Sequence, residues 1–475
     1  MAILCEFRLF VLLFSTLFFV SVAISFSPAD EYLIDCGSVV DSTVDNRRFI
    51  GDVSASSNGK LFSSEGSITL QSEIPAPNLA QIYKTARIFT RQVKYEFNVV
   101  ENGIQMVRLH FHRFNSSKID FSDAEFHVTV NGYVVLRNFS GAFGPRVREF
   151  LIWVDVGKVV IRFVPSKDSK LAFVNAIEVI SAPKDLIADV ATSVSNDGAT
   201  EKLNGLVKQA MEVVYRINVG GRKVTPFNDT WWRTWVPDER FLKVSDGSEK
   251  VYFSGRIKYR LGGASREVGP DNLYNTARVV KSNNGSVSQV NMTWEFPVSS
   301  GYKYLIRLHF CDIASMSLGM LYFNIYINGN LAYQDLDMSD ATNYVLASPY
   351  YIDFVVDGEN SSSGLISLSV GPSNKRIEHV VDAILNGVEI MKMNNTLGSL
   401  DGSVSTEMIL SHCPNRRNLS LFMSMVAFMC ILMSVYIVTQ RRKAKDGFGW
   451  LRLSDNVPED NNNPKSVEGF GKRMP

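Results

Sequence analysis

The stretch Phe126-His-Val-Thr-Val-Asn-Gly132 recurs as Phe323-Asn-Ile-Tyr-Ile-Asn-Gly329, and the reading of this pair decides the fold. In each, large apolar side chains fall on alternate residues, the period of a strand with one buried face. Each ends in Asn-Gly, which suits the positive-φ positions of a two-residue hairpin turn. Four more pairs keep the same order. Tyr32-Leu-Ile-Asp-Cys-Gly37 answers Tyr215-Arg-Ile-Asn-Val-Gly220, and Thr85-Ala-Arg87 answers Thr276-Ala-Arg278. Arg108-Leu-His-Phe111 answers Arg307-Leu-His-Phe310, and Ala176-Ile-Glu-Val-Ile180 answers Gly387-Val-Glu-Ile-Met391. Offsets run from 183 to 211 residues, far beyond a solenoid period, so the repeated unit is a whole domain.

Working outward, Ile152, Val154 and Val156 alternate, as do Ile366, Leu368 and Val370. The near-continuous apolar run Val159–Val164 reads as a central strand buried on both faces. Helical periodicity is confined to a short candidate at Leu203–Val213. Many short strands between Gly, Asn, Asp and Ser turns predict an all-β architecture: two tandem jelly-roll or β-sandwich domains. The boundaries fall at 26–184 and 211–393, with a linker over 185–210 whose SVSNDGATEK reads as an exposed loop. A Ser, Asn and Gly-rich stalk follows over 394–418.

Two apolar segments frame this pair. Phe7–Ile24, with Ala23 and Ser25 ahead of Phe26, has the form of a cleaved signal peptide over 1–25. Leu419–Thr439 carries no charge, and about 20 helical residues cross a hydrocarbon core roughly 30 Å thick. Arg441, Arg442, Lys443 and Lys445 behind it outnumber Arg416 and Arg417 ahead, which places the tail 440–475 in the cytoplasm. That tail, with PEDNNNPKS, has a disordered composition. Cys36, Cys311 and Cys413 fall outside the membrane, so at most one intramolecular disulfide forms among them. Asn115, Asn138, Asn228, Asn284, Asn291, Asn360 and Asn394 open N-glycosylation sequons. Asn418 opens another, but abuts the bilayer.

The 475 residues carry 49 Lys+Arg against 48 Asp+Glu, a net charge of +1 that draws in no nucleic acid. Function therefore rests on local sites or surfaces rather than on net charge. Asp229, Trp231, Trp232, Arg233 and Trp235 form the densest aromatic cluster, and two roles stand for it. The rings stack on sugars while Asp and Arg bind hydroxyls, or the rings pack the sandwich while Asp229 caps a turn. His110 and His309 occupy matching strand positions and read as core histidines, since no set of three or four metal ligands has matching spacing. No cofactor, metal or catalytic residue is assigned.

With YLIDCGS at 32–38, YRINVGG at 215–221 and PFNDTWWRTWVPDERFL at 226–242, the chain resembles the plant malectin-like receptor kinases of the FERONIA type. YNTARV at 274–279, RLHFCDI at 307–313 and DAILNGVEIMKM at 382–393 complete the likeness. The resemblance implies tandem malectin-like domains on a plasma-membrane receptor at the plant cell wall. It implies as partners rapid-alkalinization-factor-type secreted peptides, a GPI-anchored co-receptor and cell-wall polysaccharide. Family members continue into a serine/threonine kinase, whose glycine-rich loop, HRD and DFG are not in this sequence; His112-Arg-Phe114 lacks the aspartate. The expectation is a non-enzymatic, kinase-less receptor-like protein, with a truncated receptor kinase or a wall-glycan enzyme as the alternatives.

Overall fold

The computed structural model describes residues 26–53, 66–155, 157–166, 171–260, 263–281, 291–358, 364–375, 381–411 and 416–448. It divides into one unit up to His412 and another from Cys413. The expected signal segment lies outside the described residues.

One thirteen-stranded sheet runs through both copies. From the second copy inward, its order passes Pro349–Asp357, Lys303–Cys311, Gly387–Met393 and Met211–Asn218. It continues into the first copy through Arg146–Val154, Gly103–Phe111, Ala176–Ser181 and Glu31–Asp35. The copies join where Phe150 and Leu151 pair antiparallel with Glu212 and Met211.

Each copy closes a sandwich by stacking smaller sheets on its share of this one. In the first copy, Gly157–Pro165 lies between Val93–Val99 and Phe126–Val130, which turns at Asn131-Gly132 into Tyr133–Phe139. The second copy repeats this with Leu365–Pro372 between Met292–Pro297 and Tyr322–Ile327, then Asn330–Asp337. Asn131 and Asn328 have φ of 45° and 51°, the left-handed conformation the Asn-Gly reading requires.

Period-two alternation divides the shared sheet into two faces. Val107, Leu109 and Phe111 enter the first core, and Ile306, Leu308 and Phe310 the second. The intervening Arg108, His110, Arg307 and His309 therefore project from the opposite face.

The repeat extends to a buried clamp. Asp52 accepts hydrogen bonds from Gly37 N (2.8 Å), Arg87 Nη2 (2.6 Å) and Tyr95 Oη (3.0 Å). Asp238 accepts from Gly220 N (3.1 Å), Arg278 Nε (2.6 Å) and Trp294 Nε1 (3.0 Å). A phenol O–H from Tyr95 and an indole N–H from Trp294 fill the same place in the two clamps.

Three sequence expectations need correction. Leu203–Val213 is not a helix: Thr200–Asn204 is a strand, Leu206–Lys208 one 3-10 turn, and Met211–Asn218 a strand. Its apolar residues Leu203, Leu206, Val207, Met211 and Val213 still gather in one cluster at the junction, while sheet pairing rather than a helix supplies backbone partners on either side of the turn. SVSNDGATEK is a hairpin rather than a loop, pairing Val190–Val194 with Thr200–Asn204 and adding to Pro349–Asp357. Val159–Val164 is central, but Val160 and Arg162 are half-buried, so one face is only partly covered.

The expected span lies in the helix Arg416–Phe448, whose stretch Phe422–Lys443 is long and apolar enough to cross a membrane. Cys36 and Cys311 are buried free thiols, while Cys413 lies outside the described residues.

Gly220 has φ +70°, and a Cβ there would meet Ala277 O at 2.3 Å. Gly220→Ala is expected to destabilise the ectodomain by more than ~1 kcal/mol, read as a lowered midpoint in thermal unfolding. An unchanged midpoint would contradict this geometry.

Candidate functional site

Where the copies meet, alternating charges cross the shared sheet on the face away from both cores. Asp353 holds Arg307 through two bonds, Nε–Oδ1 at 2.8 Å and Nη2–Oδ2 at 2.7 Å. Glu389 accepts from Arg216 Nε at 2.6 Å, and Arg216 Nη2 reaches Glu149 of the first copy at 2.6 Å. Glu149 takes Arg108 Nε at 2.5 Å, Arg108 Nη1 lies 3.1 Å from Glu178, and Glu178 takes Arg47 at 2.6 Å. Four carboxylates and four guanidiniums thus cancel, and all eight residues are buried. Such a row is tolerated away from water because each charge has partners; removing one strands its neighbours.

The histidines cap this row at matching places. Each bridges a tyrosine hydroxyl and a row carboxylate: Tyr83–His110–Glu178 at 2.9 and 2.9 Å, Tyr274–His309–Glu389 at 2.9 and 3.2 Å. Among the described residues no group of His, Cys, Asp and Glu is arranged to hold a metal ion. Burial raises the Glu149 carboxyl, but Arg108 and Arg216 overcome that and hold it at about 2. The same balance, led against burial by Arg108 at Glu178 and by Arg216 at Glu389, keeps both below the ordinary range. Burial lowers His309, against the pull of Glu389.

The tryptophan motif roofs the junction. Asp229 caps its turn, accepting from Trp231 N (2.8 Å), Arg233 Nε (3.0 Å) and Trp235 Nε1 (2.9 Å). The Arg233 guanidinium lies 5.7 and 5.3 Å from the ring centroids of Trp231 and Trp235. Asp229, Trp231, Arg233 and Trp235 are all buried, whereas Trp232 is half-buried. Trp231 O accepts from Arg108 Nη2 at 3.3 Å, and the Trp232 ring stands 5.4 Å from the Arg47 guanidinium. Both contacts bring a loop of the second copy onto the first. Trp232 adopts φ +55°, a costly conformation for a bulky side chain that its surroundings must hold.

Two clefts open beside the junction, and of their lining residues the sequence marks Asn394 alone as a candidate site residue, a sequon asparagine. The first, about 510 Å³, is lined by Phe26, Ile104, Gln105, Trp153, Pro183 and Lys184 among others. Trp153 is half-buried, and Lys208 Nζ sits 3.9 Å from its ring centroid. Trp153 falls in a period-two strand, so pattern alone gave it no functional signal. The second, about 530 Å³, is lined by residues including Gln209, Tyr302, Asp357, Met393 and Asn394.

Of the sequon asparagines, Asn115, Asn138 and Asn228 are exposed, while Asn291 and Asn394 are half-buried. Asn394 Oδ1 accepts Ala210 N at 2.9 Å. Asn284 and Asn360 lie outside the described residues.

Two β-sandwiches fused through one sheet, with a candidate membrane span in the same chain, define a two-domain ectodomain of a single-pass membrane protein. The malectin-like domain family matches residues 34–393, and the chain belongs to that family. Its homologues are receptor-like kinases of Arabidopsis thaliana. HERK 1 is 34% identical over 458 residues, covering 95% of this chain and 54% of that protein. A probable receptor-like protein kinase is 41% identical over 378 residues, covering 79% of this chain and 45% of the relative. The chain thus spans about half the length of the curated relatives it matches. The crystal structure of the ANX1 ectodomain from Arabidopsis thaliana has a TM-score of 0.70 at 27% identity, covering 79% of this chain and 99% of that one.

Two outcomes follow from the row. Glu149→Gln, which leaves Arg108 and Arg216 short of a charge partner, is expected to cost about 3 kcal/mol in denaturant unfolding; a change within ~0.5 kcal/mol would contradict it. For His309 the folded pKa lies below the ordinary 6.5, so the unfolded chain takes up the proton first. Its contribution is full above pH 6.5 and declines as pH falls below that value. Comparing wild type with His309→Gln, the stability difference should shrink on going from pH 7 to pH 5 in thermal scans. A constant difference would contradict the assignment.

Proposed function

We propose that the tandem, with recognition domains at 26–184 and 211–393, is the ligand-binding part of a plasma-membrane receptor. It takes a secreted peptide of the rapid-alkalinization-factor type together with a GPI-anchored co-receptor. The observation that carries this reading is one likeness. The crystal structure of plant peptide RALF23 in complex with FER and LLG2 contains a chain 30% identical to this one. The TM-score is 0.67, over 80% of this chain and 99% of that one. On this reading the ectodomain lies outside the cell, carries glycans at exposed sequons such as Asn115, Asn138 and Asn228, and passes its signal through kinase activity in the same or a partner protein.

A wall polysaccharide as second ligand has its own support in the cleft at Trp153. Trp153 lines that cleft half-buried, an aromatic ring of the kind sugars stack on, with Lys208 over one of its faces. Trp232 is the member of the aromatic motif with partial solvent access.

Biolayer interferometry on the full glycosylated chain in nanodiscs, with RALF23 peptide presented alone and with LLG2, tests the primary reading. Binding that strengthens when LLG2 is present is expected. No binding in either condition would overturn it, and binding of pectin fragments alone would favour the second reading.

A further inference from the structure

Residues 394–411, expected from sequence to be a stalk, return from the second copy to the first. The last strand of the second copy, Gly387–Met393, ends beside Ala210, whose carbonyl takes Asn394 N at 3.0 Å. The chain then reaches the outermost strand of the first copy's sandwich, Tyr133–Phe139, which otherwise has Phe126–Val130 as its neighbour on one side. Val134 N donates to Gly398 O at 3.0 Å, Leu400 N donates to Val134 O at 2.8 Å, and Ser399 forms a parallel bridge with Val134. Leu400 is fully buried among the apolar side chains of the first core. Asp401 accepts Arg137 N at 2.8 Å, and Thr406 Oγ1 donates to the carbonyl of Gly132 in the Asn-Gly turn at 2.7 Å. Gly402 N also donates to Tyr302 Oη of the second copy at 2.6 Å.

This attachment is weaker in kind than the sheet it leaves. Every residue of Gly387–Met393 is buried, whereas in 394–411 the buried residues are Ser399, Leu400, Thr406 and Ile409. Segments with few buried apolar contacts and exposed backbone bonds open at a lower free energy than the global fold. An unpaired edge strand is also a template for another extended segment.

We propose that residues 394–411 form a releasable latch between the first copy and the chain leading to the candidate membrane span. Closed, the latch hangs that chain on the edge of Tyr133–Phe139 and shields the edge. Open, its eighteen residues, fully extended, span up to about 60 Å and leave the edge of Tyr133–Phe139 uncovered.

Hydrogen exchange on the full chain in lipid nanodiscs tests this. The amides of Val134, Arg137 and Leu400 are expected to exchange together, at least about tenfold faster than those of Gly387–Met393, yet more slowly than unfolded chain. Leu400→Asp should accelerate all three further and leave Gly387–Met393 and Gly103–Phe111 unchanged, while Leu400→Met behaves as wild type. Should Leu400→Asp fail to fold, Asp401→Ala combined with Thr406→Ala should give the same pattern with a smaller step. Three results would overturn the latch: exchange of 398–401 as fast as unfolded chain in wild type, exchange of the three amides as slow as the core, or variants that free 398–401 without freeing Val134.

Discussion

The structure depends on one bond across a boundary: Arg216 of the second copy donates to Glu389 of its own sandwich and to Glu149 of the other, each at 2.6 Å. Antiparallel pairing at the boundary is short, with two matched residue pairs, so backbone bonding alone is a narrow seam. The charged row widens it. Arg216 makes the two copies share an electrostatic object, because Glu149 and Glu389 are both buried and both need its guanidinium. Arg148 forms a second pair across the seam with Glu212, and the tryptophan loop covers the row from above. In a poorly solvated setting each such partner matters more than at a surface.

Repetition explains why the row exists, and a departure from repetition explains why it joins. Arg108 and Glu178 in the first copy correspond to Arg307 and Glu389 in the second, facing each other across adjacent strands in both, so each sandwich carries opposite charges on the same face of the sheet. At the next strand the copies differ: Leu33 stands where Arg216 stands. In the first copy Glu178 is satisfied from one strand further, by Arg47, and Leu33 packs in an apolar cluster. In the second copy the first strand supplies its own guanidinium, with a second donor free to reach Glu149. The copies thus differ at the very position that carries the bond across their boundary.

Much of this was legible in the sequence. The motif Arg-Leu-His-Phe states both faces of its strand, since Leu and Phe must enter a core and Arg and His must then face away. The Asn-Gly turns, the duplication and the family resemblance were readable from local pattern for the same reason: they depend on neighbours along the chain. What escaped depends on neighbours across space. Glu149 lies in Arg146–Val154 without a repeat token, and its partner Arg216 is 67 residues away. The tryptophan motif was legible as a cluster, but four of its five candidate side chains are turned inward, leaving Trp232 half-buried. The hairpin inside 185–210 and the return of 394–411 look like loop and stalk in the sequence because polar, Gly-containing segments carry no apolar period. Each is ordered by pairing with a sheet edge that the sequence cannot point to.

The central claim is that the two sandwiches behave as one cooperative body because the row crosses their boundary. The direct test places a fluorine-labelled tryptophan at Trp153 in the first copy and, separately, at Trp294 in the second, and follows denaturant unfolding of each by fluorine NMR. The account predicts coincident midpoints and slopes for the two probes in the wild-type chain. Two separate transitions, one per sandwich, would contradict it.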